Sequence, residues 1–184
     1  MRQLQRSAII LSLVEEMRKR GSWCGETHIQ KATFFLQEVV GIPFGFEFAL
    51  YKHGPYSFDL SSAITAMRAD QLLRLEPQPP YGPSLLPAEG AKVLKQLHAK
   101  EIKTYLRRVQ FVAERLGPAR VVELERLGTA LFITRKGNGD DSIGGRAHRI
   151  HDLKPHISFE EAKEAVIQVD EIVKDGEKVI RQTD

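Results

Sequence analysis

Ile29-Gln30-Lys31-Ala32-Thr33-Phe34-Phe35-Leu36, then Phe46-Glu47-Phe48, then Tyr51-Lys52-His53-Gly54-Pro55-Tyr56-Ser57: this is the stretch whose reading decides the fold. Thr27 stands where a helix N-cap belongs, and Gln30 three residues later fits a capping box. Ile29, Thr33, Leu36 and Val40 share one helical face, and Gly41 with Pro43 stops the helix. Phe44, Phe46, Phe48 and Leu50 alternate with Gly45, Glu47 and Ala49, which predicts a short strand or extended segment with one buried face. His53-Gly54-Pro55 is a turn signal. Ser57 then caps a third helix, Asp59 adds a favourable charge to its first turn, and Leu60, Ala63, Ile64 and Met67 form its inner face.

On the N-terminal side, Gln3–Arg20 reads as an amphipathic helix with Ile10, Leu13, Val14 and Met17 at helical spacing and Gly21 as its end. On the C-terminal side, Leu72–Glu76 reads as a strand and Ser84-Leu85-Leu86 as its return. Between them Pro77-Gln78-Pro79-Pro80-Tyr81-Gly82-Pro83 reads as a stiff loop that cannot lie in a sheet interior. Pro87 suits the first turn of the next helix, where its missing N–H costs little. That order is the order of a winged helix-turn-helix, with residues 77–83 as the wing.

The second half is helical. A long helix starts near Ala88 and carries a heptad-like seam of Ile102, Tyr105, Val109, Val112 and Leu116. Gly117-Pro118 breaks it, and Ala119–Lys136 follows with Val122, Leu124, Leu127 and Leu131 inward. So short a connection predicts an antiparallel pair of helices. Gly137-Asn138-Gly139-Asp140-Asp141 reads as a flexible loop, followed by helices at Arg146–Asp152 and Phe159–Val173, the last capped by Ser158 and Glu161. The fold class expected is mainly α with a small β component. It divides into a winged-helix-like module at 1–97 and a helical extension at 98–184 packed on it, or forms a single domain.

A chain of 184 residues, 42% hydrophobic and 28% charged, has the composition of an ordinary soluble globular protein. No apolar run approaches the roughly 18–20 residues that span a bilayer. The short patch Ala8–Val14 lacks a small-residue cleavage site, so no signal peptide is expected. Cys24 is the only cysteine, which excludes an intramolecular disulfide and fits a reducing, cytoplasmic setting. The net charge of +3 is uneven: from Ser158 to Asp184 eight acids face four bases, so residues 1–157 form a basic body with an acidic tail. Such a body permits contact with nucleic acid or with an acidic protein.

Gln30-Lys31 with Phe34-Phe35-Leu36, followed by Tyr51-Lys52-His53-Gly54-Pro55-Tyr56-Ser57-Phe58-Asp59-Leu60, resembles the YwgA-like proteins. Those look related in turn to the SocA-like, or Panacea, antitoxin domain. Leu124-Glu125-Arg126-Leu127-Gly128-Thr129-Ala130 and Leu153-Lys154-Pro155-His156-Ile157-Ser158 fit the same pattern, so the resemblance covers most of the chain. His53 stands where those families more often have tyrosine. The resemblance implies a winged-helix-like module or an antitoxin that neutralises a partner protein. It carries over no catalytic residue.

If the module binds DNA, the third helix is its recognition helix and presents Ser61, Ser62, Thr65 and Arg68, with Lys52 and His53 beside the turn. Arg107 and Arg108 belong to a second basic stretch, in which residues 98–156 hold twelve Lys or Arg against seven acids. Asp59 and Asp70 flank the third helix with the wrong sign for phosphate, and Pro77–Pro83 holds no base. His148, His151 and His156 invite comparison with a metal site but lack a fourth close ligand. No Walker loop, dinucleotide glycine motif, zinc-protease helix or serine elbow occurs. The expected function is therefore a non-enzymatic binding module without cofactor. Its partner is DNA, for a nucleic-acid-binding or regulatory accessory protein, or another protein, for an antitoxin-like role. Pairing into a homodimer stays open, and no membrane contact is expected.

Overall fold

In the computed structural model, residues 1–79, 81–137 and 139–183 are described. Pro80 of the proline-rich stretch, Asn138 of the glycine-rich loop, Asp184 of the acidic end and the side chains of Gln78 and Tyr81 lie outside that set. Eight helices and two two-stranded antiparallel sheets make up the described residues, a mainly α fold with a small β component.

Helix α1 (Gln3–Lys19) is the centre of the molecule rather than an amphipathic surface helix. Every residue from Ser7 to Val14 is buried, because α5 (Ala99–Leu116), α4 (Ala91–Leu97), α2 (Glu26–Glu38) and strand β4 (Tyr81–Pro87) all pack on it. A helix that is apolar all round has to be covered all round. Helix α2 (Glu26–Glu38) starts two residues earlier than the capping-box reading. Gly25 is the N-cap and makes no side-chain bond, Thr27 lies inside the helix, and Gln30 is wholly buried and bonded elsewhere.

The period-two aromatics after α2 do alternate in burial: Ile42, Phe44 and Phe46 point in, Pro43, Gly45 and Glu47 out. They form no ladder, however. Gly45 takes a positive φ of 71°, and the Gln37 side chain occupies the place of a neighbouring strand, donating to Phe46 O and accepting from Phe46 N at 3.0 Å each. Pairing begins only at β1 (Ala49–Tyr51), which turns through Lys52 and His53 into β2 (Gly54–Tyr56). Ser57 then caps α3 (Phe58–Ala69) as expected, its Oγ accepting from Leu60 N at 3.2 Å.

Strands β3 (Leu73–Gln78) and β4 (Tyr81–Pro87) reach into the stretch expected to be a loop, so Pro77, Pro83 and Pro87 are all strand residues. In a two-stranded sheet both strands are edges, and an edge leaves alternate N–H positions without a partner, where proline fits. The register breaks between Glu76 and Gln78, around Pro77. Pro87 thus ends a strand instead of opening a helix.

The long helix of the second half is two, α4 (Ala91–Leu97) and α5 (Ala99–Leu116), broken at His98. Its seam does not face the next helix. Val109, Val112 and Leu116 are buried where α5 packs on α1, α8 (Phe159–Thr183) and α2. Helix α6 (Val121–Lys136) packs on α8, α2, β2 and α7 instead, and Val122, expected inward, is 54% exposed. Helix α7 (Ile143–Leu153) is capped by Ser142, whose amide and hydroxyl are held by the Asp140 carboxylate, so this part of the loop is fixed. Helix α8 (Phe159–Thr183) opens on the expected box, with Ser158 N donating to Glu161 at 2.9 Å. It runs well past Val173 through Gly176, where a Cβ would come within 2.5 Å of Val39 Cγ1. One apolar core takes side chains from both halves of the chain. No helix of the described residues is long and apolar enough to cross a membrane.

Candidate functional site

A lysine lies in the middle of this core. Lys31, on α2, is 2% exposed. Its stem passes between two glycines: a Cβ on Gly54 would sit 3.4 Å from Lys31 Cε, and one on Gly128 would sit 3.4 Å from Lys31 Cγ and 3.0 Å from Pro55 Cδ. The β1–β2 hairpin can therefore lie close on α6, directly over the lysine. Gly54 also needs its positive φ of 83° to make the turn. Burial drives the Lys31 pKa down to about 8, with the nearby Lys154 acting the same way and the charge of Glu125 opposing both.

Glu125, itself buried on α6, collects the neighbouring bases. His156 Nε2 lies 3.1 Å from its Oε1, Lys154 Nζ 3.4 Å from the same oxygen, and His53 Nδ1 3.6 Å from Oε2. The Lys154 ammonium also donates to Tyr51 O at 2.6 Å and Lys52 O at 2.5 Å, which fastens the hairpin turn. Thr129 Oγ1, one turn along α6 and 3.3 Å from where a Gly54 Cβ would be, is buried without a partner. Gln30 bonds Ser57 from below. Every segment that carries the sequence pattern, from Gln30-Lys31 through Tyr51–Ser57 and Glu125–Thr129 to Lys154–His156, thus meets at one place.

The outer side of the same hairpin is aromatic. The rings of Tyr51, Tyr56 and Phe58 touch one another, with centroids 5.8, 5.9 and 5.1 Å apart. Tyr51 is 59% and Phe58 64% exposed. Glu26 fixes one edge, accepting from Tyr56 Oη at 3.0 Å and from Ser61 Oγ at 2.8 Å.

The residues expected at a nucleic-acid interface fall into three groups. Lys52 and His53 are exposed at the hairpin turn beside the aromatic rings. Ser61 is taken by Glu26, while Ser62, Thr65 and Arg68 face outward from α3. Thr65 and Arg68 border, with Gln71 and Arg74, a cleft of about 860 Å³ between α3 and β3. Arg107 is exposed on α5, but Arg108 turns inward: its Nε donates to Thr183 Oγ1 at 3.0 Å and its Nη1 to Val40 O at 3.2 Å. Arg108 is a buried clamp between α5, α8 and the end of α2, and is not presented to a phosphate.

The three histidines do not converge. His148 lies against the Phe159 ring at 4.5 Å, His151 Nδ1 is 2.7 Å from Ile157 O, and His156 is on Glu125. Among the described residues no group of three or more His, Cys, Asp or Glu is placed to hold a metal ion. The Cys24 thiol is buried, its pKa raised by desolvation, and it donates to Val14 O at 3.6 Å.

Lys31, Glu125, Lys154 and Thr129 lie within the quoted motifs, but none is among the site residues expected from the sequence. The available signal was a lysine set between Ile29 and the Phe34-Phe35-Leu36 run of a helix, a position that only a buried partner makes tolerable. No family model, no curated protein and no solved structure matches this chain.

Proposed function

We propose that the protein is a non-enzymatic binding module that docks a partner protein through the aromatic face of the β1–β2 hairpin. The observation that carries this is the contiguous trio Tyr51, Tyr56 and Phe58, two of them more than half exposed. Large aromatics are the side chains that anchor protein interfaces, and truncating such an anchor costs about 2 kcal/mol or more. The face is also pre-organised: Lys154 grips the turn from beneath, and Gln30 and Ser57 hold the start of α3. The bases near it are few, and Glu26 and Asp59 flank it, which favours a protein over a phosphate backbone. An antitoxin-like role, in which a partner protein is neutralised by direct binding, agrees with the resemblance to the Panacea-type domains.

A second reading, a regulator that binds duplex DNA, is favoured by the cleft between α3 and β3, where Thr65, Arg68, Gln71 and Arg74 stand together. The two readings separate in one set of measurements. The wild-type protein and the Tyr51→Ser, Phe58→Ser double variant are used as baits in cells of the source organism, and duplex genomic fragments are titrated at low and physiological salt. A stoichiometric protein complex lost in the double variant supports the protein reading. DNA binding with a steep salt dependence that Arg68→Ala and Arg74→Ala abolish overturns it in favour of the regulator.

A further inference from the structure

The α1–α2 turn, the tip of the β3–β4 hairpin and the first turn of α6 meet around a separate cleft of about 740 Å³. A narrower hollow of about 320 Å³ shares Trp23, His28, Gly82 and Val121 with it. Volumes of this order hold small organic ligands, which need apolar walls and a few convergent polar groups. The walls are here. Val121 and Val122 are 38% and 54% exposed although apolar, Pro118 adjoins them, and the Trp23 indole is steadied by Nε1 donating to Gly82 O at 3.0 Å.

Three polar features converge on the same space. The His28 imidazole lines both hollows and is 4% exposed, yet its Nδ1 has no hydrogen-bond partner. A buried polar atom left unpaired costs about 1–3 kcal/mol, so its persistence points to a partner from outside the chain. Gly25 keeps a further atom out of this corner, since a Cβ there would lie 3.2 Å from Trp23 Cδ1 and 3.6 Å from that nitrogen. Burial also lowers the His28 pKa and keeps the ring neutral, able to donate at one nitrogen and accept at the other.

The second feature is the start of α6. Its N-cap is Arg120, whose own amide Glu123 takes in a capping box, so the amides of Val121 and Val122, which have no partner within the 16-residue helix, carry its partial positive charge beside the cleft. The third is Arg126, which also lines the cleft; its Nε is buried and unpaired, while its Nη2 donates to Glu161 Oε1. Glu123 opposes them in part, accepting from Arg120 N at 2.7 Å and standing 3.7 Å from Arg120 Nη2. Two arginines stand against two carboxylates, Glu123 and Glu161, so the start of α6 supplies the remaining positive charge at this end of the cleft.

We propose that this cleft binds a small aromatic carboxylate. The ring lies against Trp23, Val121 and Val122, the carboxylate sits at the first turn of α6 beside Arg120 and Arg126, and a hydroxyl on the ring meets His28. The site stands apart from partner docking at the β1–β2 hairpin, and either can fail without the other. Because Trp23 is the only tryptophan in the chain, its fluorescence reports the site directly.

The test titrates the whole protein with 4-hydroxyphenylacetate, phenylacetate and the neutral 4-hydroxyphenylacetamide, exciting Trp23 selectively. The expected result is a saturable change with 4-hydroxyphenylacetate, and affinity roughly tenfold weaker for the amide, which lacks the charge, and for phenylacetate, which lacks the hydroxyl. Val122→Glu, a substitution at an exposed position, should abolish the change while leaving the thermal midpoint in place. No saturable change with any of the three, equal affinity for acid and amide, or undiminished binding by Val122→Glu overturns the site. Equal affinity for the two acids removes His28 from it.

Discussion

Both ends of the Gln30 side-chain amide bond to a single residue: Nε2 donates to Ser57 O at 2.9 Å, and Ser57 N donates to Oε1 at 2.9 Å. Ser57 is in turn the N-cap of α3. One buried amide on α2 therefore fixes the point at which the hairpin ends and the next helix begins. In Gln30→Met the volume is kept and both bonds are lost, leaving a buried N–H and a buried C=O unpaired. The expected loss is about 2–4 kcal/mol, read from urea unfolding. A loss below about 0.5 kcal/mol would mean that the α3 start is held by its other contacts alone.

Lys31 makes stability depend on alkaline pH. Its folded pKa, pushed to about 8 chiefly by burial, lies below the ordinary lysine value of 10.5. Between those limits the folded chain has released a proton that the unfolded chain still holds, so this group's contribution to stability rises with pH. Below about pH 8 both states are protonated and the full cost of the buried charge is present. Lys31→Met should thus be more stable than wild type near pH 7, and the gap should close as pH climbs through 8 toward 10.5. Paired denaturation curves measure this; a gap constant with pH would place the lysine's proton affinity at its ordinary value.

Arg146 is buried on α7 and grips Asp170 of α8 with two bonds of 2.7 and 2.6 Å while also donating to Thr134 of α6. The carboxylate end is the more exposed one. Asp170→Ala leaves a buried guanidinium without its counter-charge and should cost about 3–5 kcal/mol. Arg146→Met with Asp170→Ala should recover much of that loss, because no charge is then stranded. Thermal unfolding of the single and double variants decides it.

Tyr51→Ser and Phe58→Ser change residues that face solvent, so each should shift stability by no more than about 0.5 kcal/mol. Partner capture should nevertheless fall by at least about tenfold in either variant. A large drop in thermal midpoint instead would make the trio part of the core's lid rather than a docking face.

Much of the architecture was legible because it rests on local chemistry. Ser57 and the Ser158–Glu161 pair act as the caps their types suggest, and Gly54 turns where only glycine turns cheaply. What was illegible depended on neighbours distant in sequence. Gln30 looked like a capping residue until Ser57 was seen to claim its amide. Pro77 and Pro83 looked like loop residues because the sheet's having only two strands, both edges, is not written in them. The seam of α5 named its own buried face correctly but could not name α1 as the surface it meets. Of the residues expected at the interface, Arg108 was lost for the same reason: the Val40 carbonyl that holds it lies 68 positions earlier in the chain.

The enclosure of α1 has a consequence for how the protein is made. Residues 7–14 are synthesised before α5, which covers them most extensively and comes from residues 99–116. Until that later helix exists, the nascent chain carries a sticky apolar rod that α2, β4 and α4 cover only in part, the kind of surface that chaperones recognise and that aggregates when they do not. Closing such a long-range contact also slows folding. The helix at the centre of the fold is thus made well before the element that completes its cover.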